Sequence, residues 1–283
     1  MKNSKLLIFI DWYVPAHKAG GPIRSVYNLV QTFKDEMDIY IVTSTRDLGE
    51  EIELEGIVKN EWTTQDGVKI IYLETAKQNV DFYKKIIKEI SPSTFYLNSL
   101  FSKNFTLLPI QAYGQLGLKT KLIIAPRGMF SKGALAIKPI KKKLFFIYTK
   151  LMGVFKGVVW HASSEIEKNE IKSVFKKEKS IHIAPNVSLF QKDVAIKSKQ
   201  KGELSIIMVS RISPIKNIHI LLNAVATSIF KNNIEVQIIG NIEDKAYYNE
   251  CTKLIEENSL NVKFVGAIPN EQIKPYLQQS NLF

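Results

Sequence analysis

One stretch decides the fold: Val209-Ser-Arg211-Ile-Ser213-Pro214-Ile-Lys216-Asn217. Before it, residues 204–208 form a short apolar run that is typical of a buried strand. After it, apolar residues recur at helical spacing: Ile218, Leu221, Leu222, Val225 and Ile229. Ser213 followed by Pro214 is typical of a helix start. The stretch therefore predicts a strand, a short loop and a helix over 214–230.

This loop carries two cations where a helix end is already positive. Arg211 follows the strand, and Lys216 falls in the first turn of the predicted helix. Backbone N–H groups are unpaired there and the helix dipole points its positive end outward. Two cations at that end repel each other unless an anion binds, and a diphosphate suits the site. The spacing alone also fits two solvated surface residues.

Strand and helix patterns alternate along the whole chain. The predicted strands span 5–11, 38–43, 68–73, 94–97, 122–125, 158–162, 180–184, 204–209, 235–239 and 262–265. One helix is predicted directly after Gly21. The other predicted helices cover 80–90, 137–155, 165–174, 214–230, 247–257 and 270–279. A further strand begins at 280. This alternation predicts an α/β fold whose parallel sheets have helices on both faces.

Composition excludes several classes of protein. The chain has 283 residues, of which 45% are hydrophobic, so it can form two ordinary domains rather than a disordered segment. Its one cysteine, Cys251, cannot form an internal disulfide, which suits the cytoplasm. No apolar run reaches the length of a signal peptide or a membrane-spanning helix.

The net charge of +12 is unevenly distributed. Residues 90–164 contain no Asp or Glu but eleven Lys and Arg. An interval of this kind indicates an anionic partner, which can be a nucleic acid, an acidic membrane or a phosphate-bearing substrate. No helix-turn-helix, RNA-binding or zinc-finger spacing supports the nucleic acid.

Within that interval, residues 137–155 combine an apolar helical stripe with lysines. The stripe consists of Ile140, Leu144, Ile147, Tyr148, Leu151 and Phe155. Such a stripe is more often the core face of a domain, and we favour that interpretation. The alternative is a basic amphipathic helix on a membrane surface.

The strand–x–Arg–x₄–Lys pattern resembles the donor-diphosphate site of family 4 glycosyltransferases, of the "glycosyl transferases group 1" type. The resemblance implies the GT-B fold, in which two Rossmann-like, doubly wound domains face each other across a cleft. It also implies that Arg211 and Lys216 hold the diphosphate of a nucleotide-sugar and stabilise the leaving group. Asn217 stands where the family more often has glycine.

The resemblance extends to other donor-binding residues. Gly20 and Gly21 match the family's first glycine-rich loop, which faces the donor. From the residues alone an ordinary strand-to-helix loop is favoured, because G-x-G-x-x-G is absent. Asn186 matches the family's Pro-Asn segment, and Gly240 ends the strand at 235–239 on the donor side.

On the acceptor side, the resemblance implies roles for three residues. Many relatives have a histidine near the end of the strand at 94–97, and here Asn98 and Ser99 take its place. We expect them to hydrogen-bond to donor sugar or acceptor. Arg127 lies in a Pro-Arg-Gly segment like that of the family, and we expect it to bind an acceptor phosphate. The alternative is a turn with a solvated arginine.

The predicted organisation is an acceptor-side domain at 1–189, a linker at 190–203 and a donor domain at 204–283. The family's Glu-x₇-Glu motif would follow in that second domain and does not occur here. We therefore expect a second domain that is incomplete, and a fragment that transfers sugar poorly alone.

The resemblance predicts a retaining glycosyltransferase of the hexosyltransferase type, with a UDP- or GDP-sugar as donor. The acceptor would be a glycan or a polyprenyl-diphosphate-linked glycan in bacterial envelope polysaccharide synthesis. The expected location is cytoplasmic, at the inner face of the cell membrane. No metal is expected, since no D-x-D pattern occurs. The alternatives are a non-catalytic nucleotide-sugar- or phosphate-binding fragment and a GT-B epimerase or phosphorylase.

Overall fold

The structure, a computed structural model, describes residues 4–176, 180–189 and 200–283. The described residues fall into two compact units. Unit 1 contains residues 4–14 and those from 21 to 189, and unit 2 contains residues 15–20 and 200–283. Most of the predicted linker, 190–199, lies outside the described residues.

Unit 1 alternates strands with helices. Its strands are β1 (Lys5–Phe9), β2 (Asp38–Ser44), β3 (Trp62–Gln65), β4 (Val68–Leu73), β5 (Thr94–Leu97), β6 (Lys121–Ile124), β7 (Val159–Ala162) and β8 (Ile181–Ile183). Its helices are α1 (Gly21–Phe33), α2 (Val80–Ile90), α3 (Leu108–Gln115), α4 (Lys132–Ala136), α5 (Pro139–Leu151) and α6 (Glu165–Val174).

Unit 2 repeats the rhythm on a smaller scale. Its strands are β9 (Leu204–Val209), β10 (Ile234–Ile239) and β11 (Val262–Gly266). Its helices are α7 (Ile218–Ala226), α8 (Lys245–Glu257) and α9 (Ile273–Gln279).

The eight strands of unit 1 form one sheet in the order β3-β4-β2-β1-β5-β6-β7-β8. All neighbours are parallel except β3, which pairs antiparallel with β4. The chain moves from β1 outward to β2 and β4, and then returns to the other side of β1 at β5. This doubly wound order confirms the predicted α/β class with mainly parallel sheets.

Apolar side chains fill both faces of this sheet. Leu7 to Phe9 of β1 and the next residue, Ile10, are each at most 2% exposed and belong alternately to the two core clusters. One cluster packs against α2, α3 and α6, and the other packs against Val26 and Val30 of α1. A strand buried on both faces is expected to read as a continuous apolar run, as β1 does.

Unit 2 has the sheet order β11-β10-β9, and all its pairs are parallel. The chain returns to the free side of β9 at its end. Leu282 bridges to Ile206, and the N–H of Ile207 donates to the carbonyl of Leu282 at 2.9 Å. The strand predicted from 280 onward therefore begins where an additional parallel strand would lie.

The predicted helix over 214–230 is wrong at both ends. Residues Pro214–Lys216 form a short 3₁₀ turn, and α7 covers only Ile218–Ala226. Ser213 makes no capping hydrogen bond. Between the turn and α7, Asn217 adopts the left-handed conformation with φ 54° and ψ 34°. Lys216 thus lies in the loop before the helix and not in its first turn.

The predicted helix at 137–155 is also wrong, in its bounds and in the orientation of its stripe, since α5 covers only Pro139–Leu151. Lys138 has φ 53° directly before Pro139, which separates α4 from α5. Proline disfavours a helical conformation in the residue that precedes it. The stripe residues of α5 face outward rather than into the core, whereas Phe155 is 3% exposed.

Three elements were not predicted: β3, α3 and α4. Strand β3 has few apolar residues, since it lies at the sheet edge and pairs on one side only. Asp66 and Gly67, both with positive φ, form its turn to β4. Helix α3 follows a π-helical turn at Lys103–Leu107, where no regular 3.6-residue pattern exists.

The left-handed backbone at Asn217 generates a prediction. Asn217→Gly should leave the free energy of unfolding unchanged or raise it slightly, because glycine adopts φ > 0 without strain. Asn217→Ala should lower it by about 1 kcal/mol, because alanine lacks the short polar side chain whose local hydrogen bonding lets asparagine adopt this conformation. Chemical denaturation of both variants, monitored by circular dichroism, tests this. A more stable alanine variant would contradict the backbone assignment.

Candidate functional site

The carboxyl ends of the parallel strands collect polar side chains along one edge of unit 1. Asp11 follows β1, Asn98 and Ser99 follow β5, and Arg127 follows β6. The chain reverses its direction of winding between β1 and β5. In open α/β sheets, ligands bind at this edge and at this reversal.

Arg127 is the centre of a hydrogen-bond network. Its Nε and Nη2 atoms donate to Oδ1 of Asn98 at 3.0 and 2.9 Å. Nη2 also donates to the hydroxyl of Tyr96 at 2.9 Å, and Nη1 donates to Oδ1 of Asn186. The structure therefore brings together three of the predicted site residues, Asn98, Arg127 and Asn186.

The network continues from Tyr96 to β7 and the end of β8. Nδ1 of His161 lies 2.6 Å from the Tyr96 hydroxyl, and Nε2 lies 2.7 Å from the carbonyl of Ala184. A carbonyl only accepts, so Nε2 carries the proton and bare Nδ1 accepts from the Tyr96 hydroxyl. Burial lowers the pKa of His161, which favours this neutral form.

No carboxylate of the described residues lies within 4 Å of the Arg127 guanidinium. The nearby carboxylate of Glu167 accepts hydrogen bonds from other residues. Its Oε1 accepts from the N–H of Gly128 at 2.6 Å, and its Oε2 accepts from the N–H and hydroxyl of Ser163, both at 2.7 Å. The positive charge of Arg127 is thus held by neutral oxygen atoms, which leaves it able to attract an anion.

Asp11 is a site residue that was missed in the sequence. Its Oδ1 accepts from the hydroxyl of Ser102 at 2.6 Å, and burial raises the pKa of its carboxyl group. An acidic residue directly after the first buried strand was the available signal. Asp11 and Ser99 face the same reversal point, so a ligand hydroxyl there would meet an acceptor and a donor.

Asn98 and Ser99 are both buried, at 3% and 5% exposure. Oδ1 of Asn98 binds Arg127, but its Nδ2 has no partner among the described residues. The hydroxyl of Ser99 makes a long contact of 3.9 Å to Sδ of Met129 and also lies within reach of the Asp11 carboxyl group. Asn98 therefore has a buried donor to spare, and an unmade hydrogen bond at such a depth is unfavourable.

Gly20 and Gly21 lie at the start of α1. Gly20 has φ 65°, and its N–H donates to the carbonyl of His17 at 3.0 Å. Gly21 is the first residue of α1. No described atom lies within 4 Å of where a Cβ would stand on either glycine.

In unit 2, the loops after β9 and β10 lie side by side. The N–H of Ile212 donates to the carbonyl of Asn241 at 2.9 Å. A Cβ on Gly240, which has φ 154°, would stand 2.0 Å from the carbonyl oxygen of Ser210. Only glycine permits this approach, so Gly240 fixes the position of the loop that carries Arg211.

The two donor-site cations of unit 2 differ in their surroundings. Arg211 pairs with Glu243 of the β10–α8 loop, a partner that the sequence did not predict. Lys216 is exposed, and no described carboxylate lies within 4 Å of it. An anion at this loop would find Lys216 free and would compete with Glu243 for Arg211.

In the described part of the chain, no cluster of three or more His, Cys, Asp or Glu side chains could hold a metal ion. No helix described here is long and apolar enough to cross a membrane.

Residues 190–283 match the model of the family "Glycosyl transferases group 1". No curated protein sequence matches the chain. The recognition made from the strand–x–Arg–x₄–Lys pattern is thus confirmed by a match that covers the whole of that pattern.

Solved structures resemble the whole chain. HepE from Anabaena, in complex with UDP and glucose, has a TM-score of 0.62 at 13% identity, over 94% of this chain and 70% of its own. The catalytic domain of starch synthase IV from Arabidopsis thaliana, bound to ADP and acarbose, has 0.63 at 10% identity, over 99% and 77%. The lipopolysaccharide outer core galactosyltransferase WaaB has 0.57 at 15% identity, over 98% and 72%. The chain has the GT-B fold of these glycosyltransferases.

The neutral state of His161 generates a pH prediction. Its pKa is lowered in the folded protein, so the unfolded chain binds the proton first as the pH falls below about 6.5. The contribution of neutral His161 to the free energy of unfolding is therefore complete above that pH and decreases below it. Below that pH, the free energy of unfolding changes by at most about 1.4 kcal/mol per pH unit on account of His161, and solvent screening reduces this slope further.

Urea unfolding followed by tryptophan fluorescence measures this, because Trp12, Trp62 and Trp160 all belong to unit 1. The difference in stability between about pH 7.5 and about pH 5 should be smaller in His161→Gln than in the unmodified chain. Ile86→Val, the control at a buried position of α2, should lower stability at every pH but keep the slope. An unchanged slope in His161→Gln would contradict the assignment.

Proposed function

We propose that the chain is a retaining glycosyltransferase of the hexosyltransferase type, with a UDP- or GDP-sugar as donor. The observation that carries the proposal is the β9–α7 loop, which presents Arg211 and exposed Lys216 beside Gly240. This loop lies within the segment that matches the glycosyltransferase family. The nucleotides UDP and ADP in HepE and starch synthase IV support a nucleotide-sugar as the donor.

The chemistry requires charge stabilisation. The bond between the sugar carbon C1 and the diphosphate oxygen breaks, and the leaving diphosphate gains negative charge. Arg211 and Lys216 are the groups of unit 2 that neutralise it. For retention, the acceptor hydroxyl attacks the face from which the diphosphate departs, and its proton passes to a departing phosphate oxygen. These cations take the role that a metal has in other transferases.

Unit 1 would serve the acceptor. Asn98 and Ser99 would hydrogen-bond to sugar hydroxyls, and Arg127, which lacks a carboxylate partner among the described residues, would bind a phosphate group. A polyprenyl-diphosphate-linked glycan offers both kinds of group. WaaB, named for lipopolysaccharide, supports an acceptor in bacterial envelope polysaccharide synthesis. We place the enzyme in the cytoplasm, peripheral to the cell membrane.

Alanine variants of the loop test the donor site. Lys216→Ala should weaken the binding of UDP or GDP on the order of tenfold to a hundredfold, the effect of one hydrogen bond to a charged group. Arg211→Ala should weaken it at least as much, because this variant also leaves the Glu243 carboxylate without its cation beside the bound diphosphate. Lys274→Ala, at an exposed position of α9, is the matched control. Isothermal titration calorimetry measures all three.

If the Lys216 and Lys274 variants bound UDP or GDP with equal affinity, the assignment of this loop to the donor site would be wrong. Product analysis with UDP- and GDP-sugars separates the remaining functions. Nucleotide binding without any turnover would favour a non-catalytic binding protein. An epimerised sugar or a phosphate-dependent reaction would favour an epimerase or a phosphorylase. EDTA is expected to leave whatever transfer activity the chain has unchanged, because the proposed mechanism uses cationic side chains.

A further inference from the structure

The outer face of α5 is apolar and exposed. Ile140 is 75% exposed, Leu144 60%, Ile147 47% and Leu151 81%. Their spacing of four, three and four residues places them on one side of the helix. These four residues form a continuous apolar stripe, which we call the α5 stripe. Scattered exposed aliphatic residues are ordinary, but a continuous stripe of them requires an explanation.

The stripe is not a core face that failed to pack, because the opposite side of α5 is firmly held. Thr149 is 1% exposed. Phe145 meets Phe101 edge to face, with ring centroids 5.0 Å apart, and Phe146 stacks on Phe130 at 5.8 Å. Aromatic contacts of this kind add to the burial energy and fix the rotation of the helix. The α5 stripe therefore faces outward because these contacts fix the orientation of the helix.

Lysines border the α5 stripe on both sides. At about 100° per residue, Lys141 lies along one border and Lys143 and Lys150 lie along the other. All three are exposed, and no described carboxylate lies within 4 Å of them. The acid-free interval 90–164 contains the whole of α4 and α5. Lys150 lies over the ring of Phe175, 5.5 Å from its centroid. An apolar stripe between cations that have no described carboxylate partner is typical of helices that lie in a membrane interface.

A groove beside α5 has the same character. Apolar side chains and three lysines line it: Leu135, Pro139, Lys142, Lys143, Ile147 and Lys150. Such a groove suits an acidic lipid, because the ammonium groups can bind its phosphate and the apolar side chains can contact its acyl chains.

We propose that α5 docks on the surface of an anionic lipid bilayer, with the α5 stripe among the acyl chains and Lys141, Lys143 and Lys150 at the phosphates. This deepens the peripheral membrane location proposed above, but it does not depend on nucleotide binding by unit 2. The helix lies in the plane of the interface. With 13 residues it is too short to span a bilayer.

The charges and apolar residues of this face argue against two other binding partners, a second copy of the chain and a nucleic acid. A two-fold dimer would bring the same patch together from both copies and set lysine against lysine. A nucleic acid would satisfy the lysines but would leave four aliphatic side chains without an apolar partner. An anionic bilayer satisfies both, since it presents phosphates above hydrocarbon.

Vesicle co-sedimentation of the full chain tests the proposal. The protein should bind vesicles of roughly equal parts phosphatidylglycerol and phosphatidylcholine, and should not bind phosphatidylcholine alone. Replacing Lys141, Lys143 and Lys150 by glutamine should lower the partition coefficient about a hundredfold, since each lysine near an anionic surface contributes about fivefold. Added salt should reproduce part of this loss.

The apolar contribution is tested separately. The double variant Leu144→Gln and Ile147→Gln should bind more weakly by on the order of tenfold or more for each side chain, because burial of a large aliphatic group is lost. Glutamine keeps the helix propensity. Ile229→Gln removes an aliphatic residue of unit 2 that is 90% exposed, and it should bind as the unmodified chain does. Unchanged tryptophan fluorescence and melting temperature show that each variant is folded.

Three results would overturn the proposal. The first is equal binding to neutral vesicles, and the second is full binding by the triple lysine variant. The third is a lipid-free dimer that dissociates in the Leu144 and Ile147 double variant, which would assign the stripe to a second copy. UDP and GDP affinities of the same variants should be unchanged. A chain that binds vesicles but no nucleotide would contradict the proposed function alone.

Discussion

The burial of β1 on both faces is the constraint from which the rest of unit 1 follows. A strand with no exposed face requires helices on both sides of its sheet, and helices on both sides require crossover connections between parallel strands. Parallel strands end at one edge, so Asp11, Asn98 and Arg127 meet there although they lie far apart in sequence. The site is therefore a consequence of packing, and the side chains only decide its chemistry.

The sequence predicts the parts of this structure that depend on local pattern. The bounds of α2, α6, β4, β5 and β9 were predicted from apolar periodicity and flanking breakers alone. Asn217 shows where local pattern is insufficient. Asparagine tolerates the left-handed conformation, as glycine does, so it ends the 3₁₀ turn and delays α7. A Ser-Pro pair indicates that a helix is near, but it does not indicate which turn type precedes it.

The candidate site was harder to predict, because its partners come from distant loops. The pairing of Arg211 with Glu243 depends on the close approach of Gly240 to Ser210, which no spacing in the sequence reveals. Similarly, Arg127 has no carboxylate partner in the described part of the chain because Glu167 accepts hydrogen bonds from Gly128 and Ser163. Residue type predicted the cations, whereas their pairing is decided by the tertiary structure.

Helix α5 shows a general limit of periodicity. An apolar stripe with a 3.6-residue period predicts that one face leaves water, but it does not say whether protein or lipid covers that face. The residues that hold α5 on unit 1, such as Phe145, Phe146 and Thr149, lie off the stripe and carry little periodic signal of their own. Only the structure distinguishes the two faces. The absence of acidic residues from 90 to 164 then acquires a meaning, because it keeps the outward face free of internal ion pairs. Charge composition, uninformative about the fold, is what distinguishes a lipid surface from a protein partner.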